Sequence, residues 1–204
     1  MIFGLQIVHI LAKNFISEHQ RDTTILITGV REPIERCISA FFQNMANQEH
    51  SHWCIGSPET IKKMSMNDIR NSFLNRIDQH IDIVIGSWFE NFATAAGVDL
   101  LTQKFDPDIG YAATEVDALR IHVYKMERLK EFIDVFRNTY SLPEIREKKR
   151  NVGVEKWNGS LYSQFVSELV LPEEFIHKLH DLPWARYFYS ETELDVAAQR
   201  FRGV

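Results

Sequence analysis

Two segments near the start of the chain are predominantly apolar, whereas later segments alternate or repeat apolar positions. Residues 5–11 and 25–30 are short runs rich in Ile, Leu and Val. Runs of this length are typical of strands that are buried on both faces of a parallel sheet. Residues 119–126 instead alternate apolar with polar side chains, which predicts a third strand. With residues 81–85 as a possible fourth strand, these segments predict a central parallel sheet.

A helical pattern follows the predicted strand at residues 25–30. Pro33 has no N–H group and a fixed backbone angle, so it fits the first turn of a helix. Apolar residues then recur at steps of three and four, the spacing of one buried helix face; they are Ile34, Cys37, Ile38, Phe41, Phe42 and Met45. The turn at Arg31 and Glu32 lies beyond the carboxyl end of the predicted strand, where open α/β sheets bind ligands.

Two further helices are predicted in the middle of the chain. Ser57 followed by Pro58 is a helix start signal, and an irregular apolar stripe continues to about residue 79. A shorter helix is predicted from residue 88 to near Gly97. These helices supply apolar faces that can cover the sheet.

Residue patterns in the second half of the chain predict one turn and several helices. Residues 105–111 contain Pro, Gly and Asp and predict a turn. A helix with an apolar face is predicted over residues 129–136, after the third strand. Residues 171–202 are helical and amphipathic, and Ser190 with Glu193 fits a capping box. The alternation of strands and helices predicts an α/β fold with helices on both faces of the sheet.

Length and charge limit the classes of protein to which the chain can belong. A chain of 204 residues with 45% hydrophobic and 25% charged residues is ordinary for one soluble domain, here residues 1–204. Its net charge of −5 argues against a non-specific nucleic-acid surface. Local basic clusters remain compatible with binding a phosphate or a sulfated sugar.

The expected compartment is the cytoplasm. No apolar run approaches 18 residues, so no membrane span is predicted. The opening segment has no basic start and contains Gln6 and His9, which makes it a poor signal peptide. Cys37 and Cys54 do not form a disulfide framework, which suits a reducing environment.

Arg31 and Ser39 carry the candidate chemistry. A guanidinium at the end of a strand can bind a phosphate through two parallel hydrogen bonds. The pattern Arg31-Glu32-Pro33-x-x-Arg36-x-x-Ser39-Ala40-Phe41 resembles the segment of sulfotransferases that binds the nucleotide 3'-phosphate of 3'-phosphoadenylyl sulfate (PAPS). The longer segment REPIERCISAFFQN most closely resembles a bacterial family of capsular polysaccharide synthesis proteins. The resemblance covers nearly the whole chain and is strongest at residues 25–44 and 151–193.

The resemblance implies a fold, a donor and a set of roles. It implies a P-loop-like three-layer fold in which Arg31 and Ser39 contact the 3'-phosphate, while Glu35 and Arg36 make ion pairs or helix-surface contacts. PAPS would donate a sulfuryl group to a carbohydrate hydroxyl in capsular or extracellular polysaccharide synthesis. The alternative is a nucleotide- or phosphate-binding module without catalysis that acts in polysaccharide assembly.

Two further residues have an open interpretation. His9 is either a packed core histidine or the general base that removes the acceptor hydroxyl proton, because neutral imidazole suits proton transfer near pH 7. Some carbohydrate sulfotransferases, which this stretch resembles, carry a catalytic histidine at the end of the strand before the phosphate-binding strand. Lys156 belongs either to a solvated basic run or, as the resemblance implies, to a basic loop over the cofactor phosphates.

The sulfotransferase pattern includes two further elements, a strand end with a structural role and a loop that binds the 5'-phosphosulfate. Glu127-x-Leu129 resembles a strand end whose role in sulfotransferases is mainly structural. A loop rich in Gly, Ser or Thr and Lys that holds the 5'-phosphosulfate is missing before residue 9, so we expect an N-terminally incomplete member that does not catalyse transfer by itself. His50, His52 and Cys54 alternate, but their spacing is unusual for zinc, and we expect an exposed loop and no metal.

Overall fold

The computed structural model describes residues 24–49, 52–81, 88–117, 119–143 and 157–203. Within these residues the chain is an α/β protein with a three-stranded sheet and nine α-helices. The predicted strand at residues 5–11, and with it His9, lies outside the described residues, as does Lys156. No helix in the described part of the chain is long and apolar enough to cross a membrane.

The sheet contains β1 (Thr24–Val30), β2 (Tyr111–Val116) and β3 (Leu119–Lys125) in the order β1–β3–β2. β1 and β3 pair in parallel, as predicted, with Val30 opposite Lys125. β2 pairs antiparallel with β3, so the described sheet is mixed and the prediction of a purely parallel sheet is wrong. The backbone reverses at Asp117, which has a φ of 52°, a left-handed conformation that Asp tolerates.

The helix after β1 matches the prediction. α1 (Pro33–Asn44) has Pro33 in its first turn, and the Glu32 side chain caps it by accepting a hydrogen bond from the backbone N–H of Glu35 at 2.8 Å. Every residue of the predicted apolar face is buried. Phe41 lies among four aromatic rings with centroids 5.2–6.2 Å away, namely Phe42, Trp53, Phe73 and Phe165. This cluster joins α1 to the helical layer of the core.

The predicted helix from Ser57 to about residue 79 is two helices, α2 (Pro58–Ile61) and α3 (Met66–Ile81). The start signal is confirmed, because the Ser57 hydroxyl accepts from the backbone N–H of Thr60 at 3.2 Å. A second capping pair causes the break: Ser65 and Asp68 each accept a hydrogen bond from the backbone N–H of the other at 3.2 Å. Such reciprocal capping starts a new helix.

The remaining helices agree with the prediction in type and approximate position, except the helix at Gly159–Glu168, which was not predicted. α4 (Trp88–Ala96) ends at Gly97, whose φ of 70° suits a helix end. A 3₁₀ turn at Met126–Arg128 leads from β3 into α5 (Leu129–Thr139). The last helices are α6 (Gly159–Glu168), α7 (Glu173–His180), α8 (Pro183–Phe188) and α9 (Glu191–Gln199). The capping box of α9 is confirmed.

One predicted strand is not observed where it can be checked. Ile81 is the last residue of α3 rather than the first residue of a strand at 81–85. Residues 82–85 lie outside the described residues. Because a short apolar run fits the end of a buried helix as well as a strand, periodicity did not separate the two.

Candidate functional site

A cavity of about 670 Å³ lies at the carboxyl ends of β1 and β3. Its described lining comes from the segments that follow these two strands and from α9. The charged residues on this lining are Arg31, Lys125, Arg128, Arg200, Glu32, Glu35, Glu127 and Glu193. The apolar part includes Met126, Tyr189 and Val196.

The register of the parallel strands brings the first two segments together. Val30 is opposite Lys125, so Arg31 and Met126 both leave the sheet at the same edge. This is the position at which open α/β sheets bind ligands, because successive loops meet outside the strand ends. The location predicted for the ligand site is therefore a cavity in the structure.

Glu127 connects the two strand ends to the C-terminal helices. One of its carboxylate oxygens accepts a hydrogen bond from the backbone N–H of Glu32 at 2.9 Å. The other accepts from the Tyr189 hydroxyl at 3.1 Å. Burial, together with the nearby Glu127 carboxylate, raises the pKa of the Tyr189 hydroxyl, so this group stays a neutral donor. Glu127 thus has a positioning role.

Lys125 is buried beneath the cavity and uses its ammonium group for structure. Its Nζ donates to the Pro107 carbonyl at 2.7 Å and to the two Glu193 carboxylate oxygens at 2.6 and 2.7 Å. Burial by itself would raise the pKa of the Glu193 carboxyl, but hydrogen bonds from Lys125 and Ser190 outweigh it and hold that pKa below its ordinary value. Since an ammonium has three donors, Lys125 has none left for a ligand.

Arg31 and Arg200 lie at the edge of the cavity and share one carboxylate. Arg31 donates to one oxygen of Glu35 at 3.1 Å, and Arg200 donates to the other at 2.7 Å. The Arg31 side chain is 35% exposed and that of Arg200 is 56% exposed. Both guanidiniums are therefore accessible to a ligand. The expected ion pairing of Glu35 is confirmed.

Arg128 contributes a fourth cation to the lining. Its aliphatic stem passes over Gly110, where a Cβ atom would lie only 3.2 Å from Cδ of Arg128. Gly110 has a φ of 70°, so a side chain there would be strained as well as crowded. Within the described part of the chain, the Arg128 guanidinium makes no ion pair. It is consequently available to an anion in the cavity.

The four predicted site residues do not all lie on the described lining of the cavity. Arg31 lines the cavity, whereas Ser39 is partly exposed on α1 and is not among the described residues of the lining. His9 and Lys156 lie outside the described residues, so their positions relative to Arg31 stay predictions. Of the two predicted residues that the structure describes, it therefore brings Arg31 to the cavity and not Ser39.

Sequence reasoning missed Arg128 and Arg200 as candidate ligand contacts. Arg128 is the central residue of the Glu127-x-Leu129 pattern, and a basic residue two positions beyond the end of a predicted strand was an available signal. Arg200 had no comparable signal, because it follows an amphipathic helix and meets Glu35 across 165 residues of sequence.

The structure describes only part of the loop that contains the alternating residues His50, His52 and Cys54. His52 is exposed and Cys54 is partly buried, while His50 lies outside the described residues. Among the described residues, no group of three or more His, Cys, Asp or Glu side chains is arranged to hold a metal ion.

Comparison with protein-family models, curated proteins and solved structures finds no match for the chain. Its function therefore has to be argued from the cavity and from the sequence resemblance. Arg31, Arg128 and Arg200 line the cavity, and Glu35 orients Arg31 and Arg200 through ion pairs. This arrangement suits a ligand that carries phosphate groups.

Proposed function

We propose that the chain is a sulfotransferase-like protein that binds PAPS and transfers its sulfuryl group to a carbohydrate hydroxyl in capsular or extracellular polysaccharide synthesis. The observation that carries this proposal is the position of Arg31. This arginine begins the segment that resembles the 3'-phosphate-binding motif, and it lies at a cavity outside the ends of two parallel strands.

The size of the cavity and the guanidinium groups on its lining support a nucleotide ligand. A volume of about 670 Å³ lies within the range of ~300–1,000 Å³ that small-molecule and cofactor sites occupy. Its described lining combines guanidinium groups with apolar side chains such as Met126 and Val196. Guanidiniums suit phosphate oxygens, and apolar side chains suit the faces of a base.

The proposal gives each predicted residue a role. Arg31 holds the 3'-phosphate at the cavity, Lys156 contributes a positive charge near the phosphates, and His9 accepts the proton of the acceptor hydroxyl. Ser39 lies on α1 and is not among the described lining residues, so its contact with the same phosphate rests on the sequence resemblance alone. PAPS, when bound, supplies the sulfuryl group that the acceptor oxygen receives. The wider sheet of a P-loop-like three-layer fold is part of the same proposal.

Binding of adenosine 3',5'-bisphosphate, measured by titration calorimetry, tests the cofactor assignment. Loss of a charge-assisted hydrogen-bonded contact costs about 1.5–3 kcal/mol, so Arg31→Ala should weaken binding by roughly 10- to 150-fold. Arg70→Ala is a matched control, because Arg70 donates to the Glu168 carbonyl and is not a lining residue. A folded Arg31→Ala variant with the affinity of the wild type would refute the assignment.

A transfer assay separates catalysis from binding alone. The chain is incubated with PAPS and a panel of polysaccharide acceptors, and the release of adenosine 3',5'-bisphosphate is measured. Transfer above the no-protein rate supports the sulfotransferase. Tight binding without transfer to any acceptor agrees with the non-catalytic nucleotide- or phosphate-binding module and with the expectation above that the chain does not catalyse transfer by itself.

A further inference from the structure

A single carboxylate bridges two arginines at the edge of the cavity. Glu35 lies in the first turn of α1, Arg31 follows β1, and Arg200 directly follows α9. The two oxygens of Glu35 are divided between the arginines, at 3.1 Å for Arg31 and 2.7 Å for Arg200. Two guanidiniums therefore converge on one anionic group.

Each guanidinium keeps most of its donors. An arginine side chain has five N–H donors. Within residues 24–49, 52–81, 88–117, 119–143 and 157–203, Arg31 and Arg200 each use one terminal nitrogen for Glu35. Both residues line the cavity, so the remaining donors can reach a ligand there.

Glu35 differs from the other three carboxylates of the described lining. Glu32 caps α1, Glu127 holds the Glu32 backbone and Tyr189, and Glu193 neutralises the buried Lys125. These three carboxylates fix the structure around the cavity. The Glu35 carboxylate pairs instead with two partly exposed arginines at the cavity edge.

A phosphate group is a stronger partner for these arginines than the shared carboxylate. It carries up to two negative charges and three acceptor oxygens, and it accepts parallel hydrogen bonds from a guanidinium. Glu35 offers each arginine a single oxygen in this structure. Ion pairs with arginines that are 35% and 56% exposed are weak, so a ligand can displace them.

We propose that Glu35 occupies, between Arg31 and Arg200, the place that a ligand phosphate takes when it binds. On this view Arg200 is a second phosphate-binding residue, and Glu35 is an internal competitor that the ligand displaces. The inference rests on the proposed function in that it requires a phosphate-bearing ligand in this cavity. It does not require that sulfuryl transfer takes place.

The test measures the affinities of adenosine 3',5'-bisphosphate and of pyrophosphate for four forms of the protein by titration calorimetry. Arg200→Gln should weaken binding about tenfold, because it removes a charge-assisted contact. Glu35→Gln should strengthen binding about two- to fivefold, because the arginines no longer have to leave an ion pair. Arg202→Gln is the matched control, since Arg202 pairs with Glu173 and is not a lining residue; its affinity should equal that of the wild type.

The results distinguish this inference from the proposed function. If the nucleotide binds but Arg200→Gln behaves like Arg202→Gln, or if Glu35→Gln weakens binding, the inference is overturned while the cofactor assignment stands. If pyrophosphate binds with the expected variant effects but the nucleotide does not bind, the cofactor assignment fails and the inference stands. If neither the nucleotide nor pyrophosphate binds, both the cofactor assignment and the inference are refuted.

Circular dichroism confirms folding of each variant before its affinity is compared. Should Glu35→Gln fail to fold, the comparison of Arg200→Gln with Arg200→Lys decides. Lys keeps the charge but lacks the planar fork, so Arg200→Lys should lose less affinity than Arg200→Gln and still bind more weakly than the wild type. Equal affinities of both variants and the wild type would overturn the inference.

Discussion

The buried ion pair between Lys125 and Glu193 should contribute measurably to stability. Lys125 ends β3 and Glu193 lies in the first turn of α9, so the pair joins the sheet to the last helix. Glu193→Gln removes the negative charge with little change of shape. Because Gln can also serve at the third position of a capping box, the substitution tests the charge rather than the cap of α9.

The exposure of the Lys125 and Glu193 side chains determines how much unfolding free energy the Glu193→Gln variant should lose. Removing one partner of a fully buried pair costs about 3–5 kcal/mol, whereas an exposed pair contributes about 0–1 kcal/mol. The Lys125 side chain is 1% exposed and that of Glu193 is 35% exposed. The expected loss therefore lies between these limits, at about 2 kcal/mol.

Chemical denaturation monitored by circular dichroism measures this loss as a change in the midpoint at constant slope. A thermal melt should show a Tm lower by roughly 4–8 °C for a chain of this length. Asp78→Asn is the control, because Asp78 pairs with Lys178 on the exposed surface at 3.3 Å. We expect the control to lie within about 0.5 kcal/mol of the wild type.

A double variant shows whether Glu193→Gln loses stability because it leaves a buried charge unpaired or because it disturbs packing. Lys125→Met combined with Glu193→Gln removes both charges, so no ammonium is left buried without its carboxylate. We expect this double variant to be more stable than Glu193→Gln alone. If Glu193→Gln is as stable as the control, or if the double variant is the less stable of the two, the structural argument for this pair is wrong.

Two more predictions concern titration and thiol reactivity. Because the folded-state pKa of Glu193 is below its ordinary value, its stabilisation is complete above the unfolded pKa of about 4.3 and is lost as the pH falls through the folded-state pKa. The difference in unfolding free energy between wild type and Glu193→Gln should thus be constant near neutral pH and shrink below about pH 4; a difference that stays constant into acid would contradict this. Burial also raises the pKa of the Cys37 thiol, so Cys37 should resist a thiol reagent at about pH 8 until denaturant is added, while the partly exposed Cys54 reacts. Labelling of both thiols in the native protein at similar rates would show that the core around Cys37 opens readily.

Several features that depend on neighbouring residues were predictable from the sequence. The apolar spacing of α1, its start at Pro33 and the capping box of Ser190 and Glu193 all involve residues at most four positions apart. The structure confirms each of them. The position of Arg31 beyond β1 was predictable for the same reason, since one strand and one turn determine it.

Weak or ambiguous local signals account for the errors in the fold. β2 contains two alanines, and its alternation is too slight to indicate a strand, so its antiparallel pairing with β3 was not predicted. The break between α2 and α3 depends on Ser65 and Asp68, a capping pair hidden within a continuous apolar stripe. In the first case strand pairing stabilises a segment whose own sequence only weakly favours a strand. In the second case a capping pair interrupts a stripe of apolar residues that favours one continuous helix.

The sequence by itself determined the α/β class, the parallel pairing of the strands at residues 25–30 and 119–126, and the site of Arg31. Only the tertiary structure decided the partners of that arginine. Glu35 meets Arg200 across 165 residues, and Lys125 meets Glu193 across 68. Helical periodicity and capping come from interactions between near neighbours, whereas these contacts depend on how α9 packs against the strand ends, which no short segment encodes.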